Sequence, residues 1–426
     1  TKYLVYKVPS AFLQAAFFVS AEDLYRTTAG WPLGSPAFVI STPVKGAHIM
    51  QKEVLDDFSV TFDSLGAMLA CHEALSSESR WLRCAVNELR IMPVSDDSAA
   101  WYPYAPGVSA EAVEDTKCGL GLAARVDGEA WPLRTTAWKS LLDRAKLNGS
   151  ALPKLSREKL ADILNECLKL HSSDALALVR CEKISALHSG DETDYSVLPI
   201  DELLNTVAAK LDARFPGSVF VSGCTDHALT GAEWMMPEQR EELLATYEKL
   251  LVSKGCSAMA ARLTPGIRFV TSDTGVSSAK ASAMLMGMQH PIHIGGCIEV
   301  EHRHKHTVSD FESAMEQVFA QFTDAVARLE KLLDIWLDYP VNAMTRVCKR
   351  LRLPKKAALE AISMFEMATG GAGATAHDVF MALQEIPFIL ATEHTPQGKL
   401  LVVEENLARA LTLRWSDYDL AKAVSW

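Results

Sequence analysis

The chain has 426 residues, a formal net charge of −11, 49% hydrophobic residues and 22% charged residues. Its length allows two or three domains or one large α+β body, and its composition is ordinary for a folded protein. The acidic balance argues against a protein that binds nucleic acid over its whole surface, because phosphate contacts need a basic surface. One local basic groove remains compatible with this charge.

No membrane span or secretory signal is evident in the sequence. The apolar run at 11–19 is about half as long as the roughly 18 residues of a span, and the N-terminal segment lacks a basic start and a cleavage site. Nine scattered cysteines form no Cys-x-x-Cys pair, which argues against a disulfide framework or structural zinc. We therefore expect reduced thiols in the cytoplasm of a host cell, with a virion as the alternative location.

The first third of the chain predicts strands, one helix and a linker. Residues 1–66 alternate short apolar runs with Pro and Gly, which favours strands joined by turns. Residues 67–92 place apolar side chains at helical spacing, which predicts a helix. The stretch 93–117 is rich in proline, acids and aromatic residues, so it is interpreted as a linker at a domain boundary.

The central part predicts helices followed by strands. One helix should run to residue 146 with Thr135 or Thr136 as its cap, and Ser156 should cap the next. Residues 266–286 predict a strand, a polar glycine turn and the start of an alanine-rich helix. Further strands are predicted at 175–180, 184–189, 217–224 and 292–306, the last with a bulge at its Gly-Gly pair.

After Thr307 the pattern is almost wholly helical. One amphipathic helix is predicted over 308–338, and its many large apolar residues favour a homo-oligomer; shorter helices are predicted at 341–351, 355–368 and 375–386. The fold class is therefore α+β, with β-rich N-terminal and central parts and a mainly helical C-terminal third. We divide the chain into an N-terminal α+β region (1–110), a central α+β domain (118–306) and a helical C-terminal region (307–426).

The strongest candidate for a binding surface is a run of six cations within eleven residues without an acid among them: Arg346, Lys349, Arg350, Arg352, Lys355 and Lys356. In an acidic protein such a run favours contact with phosphate. The alternatives are a solvated helix face or a partner for acidic neighbours. No aromatic stacking partner for bases is evident beside the run, so little sequence preference is expected.

A second candidate is the alternating segment His302-Arg303-His304-Lys305-His306. On the predicted strand, Arg303 and Lys305 would share one face, as phosphate ligands, and the histidines the other. Imidazoles at this spacing extend over about 13 Å, so three cannot share one metal ion. At most His302 and His304 would bind a metal with a distant carboxylate. The alternative is a solvated strand end before a helix cap at Thr307 or Ser309.

The polar turn at 188–195 contains His188, Asp191, Glu192, Asp194 and Tyr195. Clustered carboxylates can hold a divalent cation, but the spacing lacks the glycine and the terminal glutamate of an EF-hand loop. A solvated turn and a metal or catalytic site are both left open. The sequence identifies no cofactor and no catalytic residue.

Five stretches, in order, resemble the phage- and plasmid-encoded family named domain of unknown function 932, over about residues 133–390. They are LRTTAWKSLLDRAKLNGSALPKL, LADILNECL, LVRCEKISALHSGDETDYSVLPIDELL, FVTSDTGVSSAKASAML and GATAHDVFMALQEI. The turn HSGDETDYS departs from the family in being longer and more acidic. The resemblance implies an origin in a mobile genetic element, near recombination and anti-restriction functions, and implies no known reaction.

Three hypotheses of function follow. The first is a non-catalytic accessory protein of a phage or plasmid that associates with single- or double-stranded DNA in annealing, recombination or anti-defence. The second is a structural or assembly protein of a phage particle. The third is a metal-dependent enzyme that uses the histidine or acidic clusters.

Overall fold

The computed structural model describes residues 53–94, 103–287 and 291–426. The α+β prediction is confirmed, because sheets occupy the N-terminal and central parts and helices follow toward the C-terminus. The apolar run at 11–19 and the strands predicted before residue 53 lie outside the described residues. Within the described residues, no helix is both long and apolar enough to cross a membrane.

The predicted helix over 67–92 is only half right. Strand β1 (Ser59–Phe62) leads to helix α1 (Leu65–Ser77), and the chain then enters strand β2 (Ser79–Ala85) and strand β3 (Arg90–Pro93). Every residue of β2 pairs antiparallel with strand β6 (Asp174–Arg180). These interstrand hydrogen bonds, made with residues about a hundred positions away, outweigh the local helical spacing.

Two small antiparallel sheets follow. The first contains β3, β4 (Leu122–Val126) and β5 (Glu129–Pro132) in that order; the second has the order β2-β6-β7, with β7 at Lys183–Ser189. The predicted strand pair at 175–189 is thereby confirmed. The predicted linker at 93–117 is partly wrong, because helix α2 (Ala110–Cys118) lies within it; residues 95–102 are outside the described residues.

Two helices cover these sheets. Helix α3 spans Ala137–Ala145, and helix α4 spans Arg157–Leu168. Ser156 caps α4 as predicted, because its hydroxyl accepts the Lys159 N–H at 3.4 Å. Thr136 instead donates its hydroxyl to the Ser185 carbonyl at 2.8 Å and does not cap α3.

The largest sheet has six antiparallel strands in the order β1-β8-β9-β10-β11-β12. Its later strands are β8 (Val219–Asp226), β9 (Thr230–Met235), β10 (Thr264–Thr271), β11 (Ala279–Met286) and β12 (Ile292–Val300). The alanine-rich segment predicted to begin a helix is therefore β11. Its alternate alanines, at 279, 281 and 283, are buried, and both its edges are paired with other strands.

The predicted bulge in β12 is confirmed, because the pairing register shifts beside Ala283, which lies opposite Gly295. The strand ends at Val300, however, and not at residue 306. Residues 301–306 form a turn, and both His304 and Lys305 have left-handed backbone conformations, with φ of 62° and 60°. Such residues cannot continue an extended strand.

Helices cover the core side of this sheet. They are α5 (Ile200–Arg214), α6 (Arg240–Ser253), α7 (Ser257–Ala260), α8 (Val308–Met315) and α9 (Val318–Leu332). The single helix predicted over 308–338 is thus two helices followed by strand β13 (Trp336–Leu337). Phe311 and Phe322 are buried in the core, so they are not free for the self-association that the sequence suggested.

The helical C-terminal third is confirmed. Its elements are α10 (Pro340–Arg350), α11 (Lys355–Thr369), β14 (Ala374–Thr375), α12 (Ala376–Leu383), α13 (Glu385–Thr392) and α14 (Gln397–Ala408). One large hydrophobic cluster extends from Phe62 to Trp415, and a smaller one lies within residues 86–187. The larger cluster crosses the boundary predicted at 306/307, and the division into three domains stays a prediction.

Candidate functional site

A buried polar cluster lies where the three-stranded sheet of β2, β6 and β7 meets the six-stranded sheet. We call it the Asp273 cluster, after the residue in the turn that follows β10. Each member is less than a tenth exposed. The members are Arg180, His188, Tyr195, Thr271, Asp273 and His302.

Hydrogen bonds converge on Asp273. The Tyr195 hydroxyl donates to the Asp273 carbonyl oxygen at 2.9 Å, and His188 Nε2 lies 2.7 Å from the same oxygen. Because a carbonyl can only accept, His188 carries its proton on Nε2. The Asp273 carboxylate pairs with the Arg180 guanidinium. The His188 and Tyr195 rings stack with their centroids 3.5 Å apart.

Burial keeps these rings uncharged. It lowers the pKa of His188 to about 4 and also lowers the pKa of His302. Burial likewise raises the pKa of the Tyr195 hydroxyl well above its ordinary value. His188 and Tyr195 therefore do not titrate near neutral pH, where general acid–base catalysis works best. The arrangement therefore suits a structural role, in which hydrogen bonds join the two sheets, better than a role in proton transfer.

One buried atom of this cluster has no hydrogen-bond partner within the described chain. It is His302 Nδ1. His302 Nε2 lies 3.2 Å from the Thr271 hydroxyl oxygen, so one side of its ring is used. Among the described residues, His302 Nδ1 is therefore the atom of the cluster still able to form a hydrogen bond.

A second buried polar group anchors residues 53–58. The fully buried Arg134 donates to the carbonyl oxygens of Val54 and Leu55, at 3.2 and 2.9 Å. Lys183 Nζ lies 3.0 Å from Asp56 Oδ1 and also pairs with Asp115. Burial opposes ionisation of Asp56, but the Thr135 N–H and the two cations lower its pKa overall. Four charges are thereby matched inside the protein.

The predicted metal ligands are separated by their environments. His302 is buried in the Asp273 cluster, whereas His304 is exposed in the turn after β12. Their predicted placement on one strand face is wrong, because the strand has already ended. Among the residues that the structure describes, no group of three or more His, Cys, Asp or Glu side chains is arranged to hold a metal ion.

The two polar turns predicted separately lie together. The His304 N–H donates to the Thr193 carbonyl at 2.8 Å, and the Lys305 N–H donates to the Glu192 carbonyl at 3.1 Å. The turn at 188–195 is therefore tied to the segment after β12. Arg303, a predicted phosphate ligand, forms an ion pair with Glu301 at 2.9 Å. Lys305, the other one, is exposed beside acidic residues of the first turn, which disfavours a phosphate there.

The six clustered cations fall into two groups. Arg346 is half-buried and donates to the Lys422 carbonyl at 2.8 Å, and Lys356 pairs with Glu393. The others lie exposed at the end of α10, in the connecting turn and at the start of α11. We call this surface the basic corner; its residues are Lys349, Arg350, Arg352 and Lys355.

Local packing holds the basic corner in place. Val347, Leu351 and Leu353 are buried beneath it, so the cations on the outside cannot rotate inward. Lys349 Nζ donates to the Ser425 carbonyl at 3.0 Å but keeps its charge exposed. Arg350, Arg352 and Lys355 have no ion-pair partner in the described part of the chain. The corner therefore carries four cations that no carboxylate of the described residues neutralises.

A charged cavity of about 260 Å³ lies on the other face of the six-stranded sheet, beneath α14. On its floor Arg268 pairs with Glu404 and, at 3.1 Å, with Glu233. His293 Nε2 lies 3.3 Å from Glu404. Burial would raise the pKa of Glu404, but His293 and Arg268 lower it to about 2. Gly295, at the bulge, has a φ of 81°, a backbone conformation that favours glycine. Space does not require it, because a Cβ there would lie in ordinary contact, 3.5 Å from Ala408 Cβ on α14.

The eight cysteines whose side chains are described are free thiols. Burial raises the pKa of several of them, to about 12 for Cys181 and Cys348 and to about 11 for Cys71 and Cys84. Thiols with such pKa values are poor nucleophiles at neutral pH. They behave as small apolar side chains.

Comparison of the chain with protein-family models, with curated proteins and with solved structures gives no significant match. The resemblance to the phage and plasmid family therefore stays a prediction that rests on the quoted stretches alone.

Proposed function

We propose that this chain is a non-catalytic accessory protein of a phage or plasmid that associates with nucleic acid through the basic corner. The observation that carries the proposal is the corner itself: four exposed cations without a carboxylate partner in residues 53–94, 103–287 and 291–426, on a protein whose net charge is −11. Because the net charge is acidic, phosphate would be attracted mainly to such a local basic patch.

The backbone at the corner supports the same proposal. Helix α11 begins after Pro354, and no side chain caps its first N–H groups. Unsatisfied N–H groups and the helix dipole favour an anion at this end. Arg352 and Lys355 flank these N–H groups in the chain, so a phosphate could take hydrogen bonds from the backbone and charge from the side chains. The resemblance to a mobile-element family supplies the biological setting.

The test is charge reversal at the corner. Replacing Lys349, Arg350 and Arg352 with Glu should abolish binding of a labelled oligonucleotide in a fluorescence-anisotropy titration. The parent should bind modestly, with a log–log salt slope of about −3 if four single-strand phosphates are neutralised. The matched control carries the same charge change at three exposed lysines far from the corner in sequence, 146, 154 and 159.

The proposal is contradicted if the parent does not bind at low salt, or if the triple variant binds as well as the parent. An equal loss in the control variant would show that binding depends on net charge alone and not on the corner. The assembly of a phage particle would then be the leading function. The exposed apolar side chains of α11, described next, are the observation that favours it as the second candidate.

A further inference from the structure

The outer face of α11 exposes apolar side chains that nothing in the described chain covers. Met367 is 74% exposed and Leu359 is 43% exposed, while the inner face buries Ala358, Ala361 and Phe365. Single exposed apolar residues are ordinary on protein surfaces. Here two of them share one helix face with two charged side chains, Lys355 and Glu366, that have no ion-pair partner among the described residues. This combination of apolar and charged groups suits one particular partner surface.

The face is a continuous stripe. Each residue advances about 100° around a helix, so Lys355, Leu359, Ser363, Glu366 and Met367 fall within an arc of about 120°. All five are exposed. Ser363, in the middle, is small enough to let another helix approach closely. A stripe of this width is what one helix needs to pack against another.

The charges of the stripe are self-complementary. Lys355 lies at the start of α11, and Glu366 lies about 16 Å further along the axis. Neither has an ion-pair partner in the part of the chain that the structure describes. A second α11 running antiparallel would place Lys355 of each copy opposite Glu366 of the other. A parallel copy would instead place like charges together and align the two helix dipoles unfavourably.

We propose that this chain pairs with a second copy of itself through the outer face of α11, by a two-fold axis near the middle of the helix. Such an axis makes every contact twice. Leu359 then packs beside Ser363 of the second copy, and Met367 packs along the aliphatic stem of Lys355. The contact involves one face of a 15-residue helix, which is small beside the roughly 1,000 Å² of a stable interface.

Because the contact is small, the dimer should dissociate in the range of about 10–100 µM. In this dimer Lys355 is paired with Glu366, so each basic corner presents its other three cations, Lys349, Arg350 and Arg352. The two corners would lie at opposite ends of the helix pair, roughly 20 Å apart along its axis. One nucleic acid could then contact both corners, and its apparent affinity would exceed that of one corner. This last consequence rests on the proposed function, whereas the pairing itself does not.

The experiment is sedimentation velocity of the full chain over about 5–300 µM, a range that brackets the expected dissociation constant. The parent should pass from monomer to dimer. Met367→Lys should weaken the dimer at least about tenfold, because it places a second ammonium beside Lys355 of the other copy, twice per dimer. The control, Val402→Lys, changes a valine that is 54% exposed on α14 and should dimerise like the parent.

A charge swap tests the antiparallel arrangement. Lys355→Glu and Glu366→Lys should each weaken the dimer, because each places like charges together twice. The double variant should recover the dissociation constant of the parent, because the pairs form again with reversed sign. Circular dichroism of each variant checks that the helices remain folded.

Three results would overturn the proposal: a parent that stays monomeric at the highest concentration, a double variant as weak as the singles, or a control as weak as Met367→Lys. The variant with Lys349, Arg350 and Arg352 changed to Glu separates this proposal from the proposed function. It should lose nucleic-acid binding and keep the dimer.

Discussion

The Asp273 cluster and the basic corner both concentrate ionisable side chains, but the two regions use them in opposite ways. In the cluster, Arg180 and Asp273 are 93 residues apart in sequence and meet in the interior, where each charge has a partner. In the corner, the cations are neighbours in sequence and remain in solvent. Stability should therefore depend on the first region, and association with other molecules on the second.

The largest effect should come from breaking the buried pair. Asp273→Ala would leave the Arg180 guanidinium buried without a counter-charge, which costs about 3–5 kcal/mol of unfolding free energy. Urea denaturation followed by circular dichroism measures this loss. The exposed pair Lys169–Glu166 provides the control. Glu166→Ala should change the unfolding free energy far less, since exposed pairs contribute little. A similar loss in both variants would contradict the comparison.

Lowering the pH should reduce the free energy of unfolding by a comparable amount. Burial lowers the pKa of His188 and of His72 to about 4, against an ordinary value of 6.5. Between these values the unfolded chain binds more protons than the folded one, so the unfolding free energy falls as pH falls from 6.5 to 4. Urea titrations at several pH values should show this slope. Replacing both histidines with Phe should flatten it, and an unchanged slope would mean that other groups carry the acid response.

The charges beneath α14 should give a smaller effect with a different pH window. The pKa of Glu404 lies at about 2 in the folded protein, below its ordinary value of 4.5. A depressed carboxylate pKa stabilises the fold above pH 4.5, and this contribution is lost as pH falls toward 2. Glu404→Gln should therefore cost about 2–3 kcal/mol at pH 7 and much less at pH 3. Glu405→Gln, at a more exposed site, is the control.

The smallest effect on stability should come from the basic corner. The variant with Lys349, Arg350 and Arg352 changed to Glu should keep the thermal midpoint of the parent, because exposed charges without partners stabilise little. Differential scanning fluorimetry measures the midpoint in low and high salt. A clear fall in the thermal midpoint would show that the basic corner stabilises the fold. The proposed difference between this corner and the Asp273 cluster would then be wrong.

Local patterns predicted many of the elements. The Ser156 cap, the strand pair β6–β7, the bulge in β12 and the helices α10, α11 and α12 all follow from neighbouring residues, through capping, alternation and helical spacing. The same local reasoning was wrong for β2 and β11. Both segments fit a helix by spacing or by composition, and both are held as strands by partners on other parts of the chain.

The basic corner and the buried clusters also differ in how far the sequence predicts them. The run of cations at 346–356 is visible in the sequence because its members are adjacent and helical spacing turns several outward. The buried clusters are not visible, because nothing near Arg134, Arg180 or Arg268 in the chain indicates which distant carboxylate or carbonyl will accept their hydrogen bonds. The sequence likewise offered His302 as a candidate metal ligand, because it does not show that the folded chain packs this residue beside Thr271.

By itself the sequence determined the α+β class, most helix and strand positions, and the location of the exposed cations, since these depend on interactions between residues close in the chain. The tertiary structure alone decided which charges are neutralised, which histidines are buried and uncharged, and which face of α11 stays uncovered. Those outcomes depend on burial and on contacts between distant segments, because only the folded chain removes a group from water and supplies its partner.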